Sequence, residues 1–412
     1  MSSHVHAAPI RMRFFTRGTW VLVALMAVGL CFAAVRFTKG IGAVTNLDDQ
    51  WPWGIWIAID IACGVALAAG GFTTAALAHV FHREKFEPIV RPALITAMLG
   101  YTVVVIGLMA DLRRYYNVWH PMVPAMWSGH SVLFEVGICV MFYLTVLYIE
   151  FLPMVTERFR GRVALPGALR PLNGFVEGLL RLFDRTLGRI MSVFIIAGVV
   201  LSCMHQSSLG ALMVIAPYKM HPLWWTQVLP LLFLLSAFCV GPCMVIFESM
   251  LASRAFGRRP EMEVLGPLSK ILPVLLFFFI STKAMDLAVR GQLHRLTDGS
   301  WQSGVFLVEM GVGFVLPFLM FFSSRVRRSP RLLFTAATLV IFGVVMNRID
   351  VFLVAYKPVY QVKHYFPAIG ELAITTGLIA FLIFAYRFVV LNFPVMHVEA
   401  TASRQGKEAP HA

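Results

Sequence analysis

The chain is organised by about ten runs of roughly 20 apolar residues, each long enough to cross the hydrocarbon core of a bilayer as a helix. Lipid offers no hydrogen bonds to a peptide group, so runs of this kind must satisfy their own backbone, and helices do so. The runs fall near residues 18–37, 53–80, 92–112, 127–152, 187–204, 223–251, 268–289, 301–322, 332–355 and 369–391. Only 14% of the 412 residues are charged and 58% are hydrophobic. A water-soluble surface needs about 25% charged residues, so much of this surface faces lipid. The connections leave no room for a separate soluble domain. The reading is an all-α polytopic membrane protein: a short cytoplasmic N-terminal segment (1–17), a transmembrane domain (18–391) and a polar cytoplasmic tail expected to be disordered (392–412).

The formal net charge of +14 raises the question of nucleic acid. The placement of the basic residues answers it. The segments 11–17, 83–91, 158–189, 254–270, 325–331 and the C-terminal end lie on one side of the alternation and hold 24 of the 35 Lys and Arg. That is the charge bias of cytoplasmic loops. It puts both termini in the cytoplasm and the protein in a bacterial inner membrane. The basic start and apolar run near the N-terminus lack a small-residue cleavage site before Arg36 and Lys39, so an uncleaved first membrane helix is expected.

A faint repeat runs through the domain. Trp127 with Glu135-x-Gly137 recurs as Trp301 with Glu309-x-Gly311, and the same offset takes Trp51 near Trp225 and Asp111 near Asp286. Read as a repeat, helices two to five recur as helices six to nine, giving two four-helix bundles flanked by helices one and ten. Glu135 and Glu309 would then share a depth close to mid-bilayer.

The two faces differ. The basic face is otherwise plain. The opposite connections carry Asn46 through Gly54, Asp111 through His120, His205-Gln-Ser-Ser, Tyr218 through Trp225 and His364 through Glu371. Both interfaces should carry an aromatic belt, so the one-sided wealth of aromatic, His and acidic residues marks a site or docking surface on the periplasmic side. Inside the runs, Asp60, Glu135 and Glu248 have no partner within a turn on their own helix. Ionisable groups there are costly, and they are read as functional. Lys283 and Asp286, at i,i+3, are read as a structural ion pair, while Arg348 with Asp350, near the interface, reads equally as a structural pair or as part of a site. The Gly64–Gly71 stretch is read as a close-packing surface.

No metal site is expected. The six cysteines lie in apolar runs without zinc, cluster or CxxC spacing. A membrane b-haem wants paired histidines at matching depth on facing helices. Only His130 and His205 could share a depth, near the periplasmic surface, so neither haem nor an iron–sulfur cluster is expected in this chain.

The runs Trp51-Pro-Trp-Gly-Ile-Trp-Ile-Ala-Ile-Asp60, Cys63 through Phe72, Arg91-Pro-Ala-Leu-Ile, Asp111-Leu-Arg-Arg-Tyr-Tyr-Asn, Ser131-Val-Leu-Phe-Glu135, Met204-His-Gln-Ser-Ser-Leu-Gly and Lys219-Met-His-Pro-Leu-Trp resemble the NrfD/polysulfide-reductase family of membrane anchors. The resemblance runs from about residue 47 to 391 and is greatest to the ten-helix branch that holds the membrane subunit of nickel–iron hydrogenase-2. It implies a subunit without its own redox cofactor that binds menaquinone or ubiquinone near the periplasmic face. It also implies a periplasmic ferredoxin-like iron–sulfur partner and a catalytic subunit such as a nickel–iron hydrogenase. Carried over residue by residue, Asp60, Tyr101, Glu135, His205 and Glu248 are quinone or proton-path candidates, and Arg91 matches at the cytoplasmic boundary. His130 and Arg113 depart from the family pattern, where Asn and Gly are expected. The quinone-binding set is then Trp51, Trp53, Asp60, His205 and Gln206. The proton path is Tyr101, Glu135, Glu248 and Asp111. The chain is not catalytic alone. The rival readings are an NrfD-type subunit of another redox complex, for sulfur compounds or alternative complex III, and a secondary transporter. One-sided decoration, and no helix broken mid-way in both halves, oppose the transporter.

Overall fold

The computed structural model describes residues 7–80, 83–164, 166–360 and 364–397. Among these, ten helices are long and apolar enough to cross a membrane: α1 (Arg17–Lys39), α2 (Trp56–His79), α3 (Glu87–Asp111), α4 (Val132–Phe159), α5 (Arg170–Val214), α6 (Leu229–Ala255), α7 (Met262–Val289), α8 (Trp301–Phe322), α9 (Pro330–Val354) and α10 (Ile369–Asn392). The fold is thus the expected polytopic helical one. Ala7–Ala8 pairs antiparallel with Met396–His397, which holds the two described chain ends on one face, as an even number of crossings requires. Residues 393–397 are packed rather than loose. Val395 is fully buried, and Arg91 Nη1 donates to the Pro394 carbonyl at 2.8 Å while Nη2 pairs with Glu157 at 2.9 Å. The rest of the expected tail, 398–412, lies outside the described residues.

Burial sorts the helices. In their most apolar windows α2 and α6 are 67% buried and α3 61%, against 11% for α1 and 17% for α5. The first three therefore form the protein core, and the last two present lipid-facing sides. α1 packs on α10, α4 on α5, α6 on α9, and α2 against both α3 and α6. Two crossings depend on missing side chains. A Cβ on Gly313 of α8 would lie 2.3 Å from the Gly343 Cα of α9, and one on Gly29 of α1 would lie 2.9 Å from the Gly377 Cα of α10. Without a hydrophobic drive between helices in lipid, such close backbone contact supplies the association.

Three helices carry π turns. α2 opens with a wide π turn over Trp56–Cys63 and breaks at Ala68 and Ala69, within the Gly64–Gly71 stretch. α8 has a π turn at Gly311–Val315 and α9 at Asp350–Val354. α6, the repeat counterpart of α2, runs unbroken through Pro242, so the mid-helix break belongs to one half.

Two helix boundaries correct the sequence reading. The regular part of α5 spans 42 residues, Asn173–Val214, or about 63 Å, roughly twice the hydrocarbon thickness. His205 and Gln206 therefore lie inside a helix, not in a periplasmic connection. Their polarity marks contacts with neighbouring helices. The inner extension of α5 is tied to the end of α4 by the Arg160–Asp184 ion pair and by Glu177, which accepts from the Gly161 amide at 3.1 Å. α4 in turn starts at Val132, capped by Ser131. Trp127 sits before it in a run of short turns, its Nε1 donating to the Pro121 carbonyl at 2.8 Å.

Candidate functional site

On α5, Ser202, His205 and Gln206 are spaced i, i+3, i+4 and so share a face. All three are completely buried. His205 Nδ1 lies 3.3 Å from the Tyr101 hydroxyl of α3, and Tyr101 sits edge-on to Tyr143 of α4, with centroids 4.6 Å apart. A tyrosine hydroxyl that donates to Nδ1 fixes the tautomer that carries its proton on Nε2. Gln206 Nε2 donates to the Val65 carbonyl of α2 at 2.8 Å. That carbonyl is free because α2 breaks there. The Ala68 amide returns to Gly64 and the Ala69 amide to Ala66, so the ladder skips Val65. What remains is a buried imidazole Nε2 and a buried amide Oε1 with no partner among the described residues. Buried polar atoms left this way are expensive. A donor and an acceptor on adjacent residues of α5 are thus left open inside the helix bundle. His205 lies nine residues before Val214, about 14 Å from the outer end of α5.

One turn further out, Ser208 donates to Glu135 Oε1 at 2.5 Å. Glu135 stands in the first turn of α4 and is exposed from the protein interior. It is not at mid-bilayer depth, because α4 begins at Val132, five residues after Trp127. The equivalence with Glu309 fails for the same reason: Glu309 is fully buried in the third turn of α8. His130 is exposed before α4, so it does not share a depth with His205.

A second polar group forms at the outer ends of α1, α2, α3 and α10. Asp60, buried in the first turns of α2, accepts from the Thr375 hydroxyl at 2.8 Å, and its Cβ is 3.0 Å from where a Cβ on Gly107 would sit. Asp111 ends α3 beside Arg36 and within electrostatic reach of Glu371 and Asp60. Arg36, buried in α1, donates to the Ala110 and Leu112 carbonyls at 2.6 and 2.7 Å; it caps the end of α3, where free carbonyls favour a cation. Glu371 accepts from the Tyr365 hydroxyl at 2.5 Å and the Ala368 amide at 2.8 Å. Burial, and then the bond to Glu371, push the Tyr365 hydroxyl well above the usual phenol range. Trp51 closes this group over, its ring 5.8 Å from Tyr365 and 5.3 Å from Tyr356. Trp53 is half-buried, 6.1 Å from Phe352. The structure thus divides the expected quinone set. His205 and Gln206 belong to one cluster with Tyr101. Asp60 and Trp51 belong to another with Asp111.

The family model for polysulphide reductase, NrfD, matches residues 43–359, which take in the His205 cluster and, of the outer group, Trp51, Asp60 and Asp111. The chain belongs to that family. A protein of Nitratidesulfovibrio vulgaris is 38% identical over 396 residues, covering 93% of this chain and 95% of its own. The probable Ni/Fe-hydrogenase 2 b-type cytochrome subunit of Escherichia coli is 32% identical over 391 residues, 94% of each. The integral membrane subunit of the N. vulgaris menaquinone reductase is 27% identical over 402 residues, 91% of this chain and 90% of that one.

Glu248, toward the inner end of α6, is separate from both clusters. It adjoins Thr96 and Tyr386, and it lines a cavity of about 40 Å³ with Arg258, Arg259 and Glu261, room for about three waters. The Lys283–Asp286 pair does not form. Lys283 Nζ donates to the Leu223 carbonyl at 2.8 Å, while Asp286 pairs with Arg290, one turn on, at 2.6 Å; the lysine is drawn into the core by a carbonyl left open in the bend before α6. Arg348 and Asp350 do not pair either. Arg348 donates to Asn347 and Ser236 and stacks 3.6 Å from the Phe233 centroid. Sequence reasoning missed Arg36 and Tyr365 as members of the outer group. Arg36 carried a signal, a lone cation in an otherwise apolar run. Tyr365 carried none.

Proposed function

We propose that this NrfD-family chain is the quinone-reactive membrane subunit of a respiratory oxidoreductase. It passes electrons between a periplasmic iron–sulfur protein and the menaquinone or ubiquinone pool, and its catalytic partner is a nickel–iron hydrogenase. The observation that carries the reading is the unpartnered pair on α5, His205 Nε2 and Gln206 Oε1. A quinone oxygen accepts from the first, and a quinol hydroxyl donates to the second. One site therefore holds both redox forms, and Tyr101 keeps the imidazole in the tautomer the quinone needs. Reduction takes two electrons, supplied from the partner, and two protons. Glu135, bound to Ser208 one turn above His205, exchanges those protons at the outer face. Asp60 and Asp111 hold charge at the outer ends of α2 and α3. Glu248, in its inner cavity, is the cytoplasmic end of a proton route across the subunit.

The hydrogenase partner is supported by the E. coli relative, similar along 94% of both chains. That protein's name speaks of a b-type cytochrome. The donor set here does not fit a bis-imidazole haem. The described spans contain two histidines, of which His79 is exposed at the inner end of α2 and His205 is buried toward the outer end of α5. The basic bias of one face and the paired chain ends support an inner-membrane protein with cytoplasmic termini.

The test is purification of the tagged chain in mild detergent from cells expressing the native operon, with partners identified by mass spectrometry. An iron–sulfur protein and a hydrogenase pair are expected. A different oxidoreductase partner would keep the quinone role and remove the hydrogenase. The chain recovered alone in repeated preparations would overturn the electron-transfer reading. In the assembled complex, His205→Leu should abolish hydrogen-driven quinone reduction while hydrogen oxidation with a soluble dye persists.

A further inference from the structure

The second half of the molecule encloses a carboxyl pair that the quinone reading does not use. Glu309 on α8 and Asp350 on α9 are 0% and 2% exposed. Glu309 Oε2 accepts from Trp224 Nε1 at 2.7 Å and Oε1 from Asn347 Nδ2 at 2.8 Å. Both oxygens are thus already oriented. Asn347, which binds Glu309, lies one turn before Asp350 on α9, and the Asp350 carboxyl lies within hydrogen-bonding reach of Glu309, its Oδ2 buried without a partner among the described residues. A hydrogen bond between two carboxyl oxygens contains a proton, since neither ionised group has one to donate.

We propose that Glu309 and Asp350 form a second proton-holding centre, with one proton shared between the two carboxyls, set apart from the His205 pocket.

The surroundings fit a group that keeps one negative charge and one proton. Lys283 on α7 and Arg348 on α9 both act on Glu309. Neither comes within ion-pair distance of either carboxyl, and the ion pairs among the described residues lie elsewhere. Each cation is spent on neutral partners: Lys283 on the Leu223 carbonyl, Arg348 on Asn347, Ser236 and the Phe233 carbonyl. They therefore favour negative charge on the pair without neutralising either carboxyl by contact. Both carboxyls also sit at π turns, Glu309 two residues before Gly311 and Asp350 as the first residue of its own. π turns cost helix regularity and recur at functional positions. Holding the proton follows from the pair's own geometry and does not rest on the quinone reading.

Infrared spectroscopy of the detergent-purified full-length protein, with its partners, tests this. Glu309→Gln and Asp350→Asn each replace the shared proton by an amide N–H, so the contact and the fold survive. Relative to wild type, both variants should lose the carbonyl absorption of one protonated carboxylic acid, and that absorption should shift in D2O. Protonated-acid absorption that is unchanged in the variants overturns the proposal. Should one variant fail to assemble, the other decides alone; should both fail, Trp224→Phe, which frees Glu309 Oε2, must shift the same band, and an unmoved band counts against the pair. A complex that shows the band yet reduces no quinone would sink the quinone reading and leave this centre standing.

Discussion

Gln206→Met tests the link between the break in α2 and the buried pocket. The side chain does two things: Nε2 satisfies the Val65 carbonyl at 2.8 Å, and Oε1 is left for a ligand. Methionine keeps the length and volume and removes both. An average hydrogen bond between membrane helices contributes about 0.6 kcal/mol. A buried carbonyl left without any partner costs about 1–3 kcal/mol. The backbone ladder skips Val65, and α2 is pinned on both sides of the break by close contacts: Gly64 packs on Val104 before it, and Gly71 on Ala97 after it. Rewinding to recruit another donor is therefore blocked, and a loss of about 2 kcal/mol follows. For a chain of 412 residues that corresponds to roughly 2 °C in the unfolding midpoint, from an entropy of about 2.1 cal/mol/K per residue. The assay is thermal unfolding of the detergent-solubilised complex, followed by hydrogen-driven quinone reduction of the folded fraction. The expected result is a small drop in midpoint with a much larger rise in quinone KM. A variant with wild-type midpoint and wild-type KM would refute both the carbonyl bookkeeping and the ligand role of Oε1.

Tyr101→Phe removes the group that fixes the His205 tautomer; quinone turnover should fall about 10-fold or more, within the range expected for a mispositioned acid–base group, with dye-linked activity of the complex unchanged. Gly343→Leu puts a side chain where even a Cβ would be 2.6 Å from the Gly313 Cα; α8 and α9 must separate, and the variant should be degraded or recovered with a midpoint lowered by more than Gln206→Met. His221, in the bend before α6, is pushed down to about 4 by burial and then by Lys357 and Arg295. The unfolded chain takes up its proton near pH 6.5 and the folded one only near pH 4. This contribution to stability is therefore present above pH 6.5 and lost as pH falls toward 4. The unfolding midpoint should drop across that window, and His221→Phe should flatten the drop.

The ten crossings were legible because apolar length is a property of the local sequence and lipid leaves no alternative to a helix. Helix ends were not. Trp127 looked like an interfacial opening residue, yet Pro124 and Gly129 hold it in turns and Ser131 caps the helix behind it. His205-Gln-Ser-Ser looked like a loop because four polar residues in a row suggest water. In a helix those residues fall on different faces, and three of them point to partners on α2, α3 and α4. Spacing along one chain cannot say which carbonyl on another helix needs a donor. The same limit misread Lys283. Its i,i+3 acid was the visible partner, and the Leu223 carbonyl, 60 residues earlier, was the real one. The candidate site was therefore legible as a list of residues and illegible as a grouping.

The grouping follows from what irregular winding costs in lipid. A break in a membrane helix frees a carbonyl that water cannot reach, so the break survives only where a neighbouring helix brings a donor. α2 breaks against Gln206, and the residue that repairs it also carries the free acceptor of the pocket. The π turn of α9 begins at Asp350, and that residue opposes Glu309 across the core. In both halves the backbone irregularity and the unpartnered polar atom occur together, on packed neighbouring helices. A purely structural anchor would gain nothing from such an arrangement, since straight helices would satisfy every carbonyl and need no buried Gln, His or paired acids. The irregular turns hold polar atoms unpaired inside the bundle, and that is the arrangement the proposed handling of quinone and protons calls for.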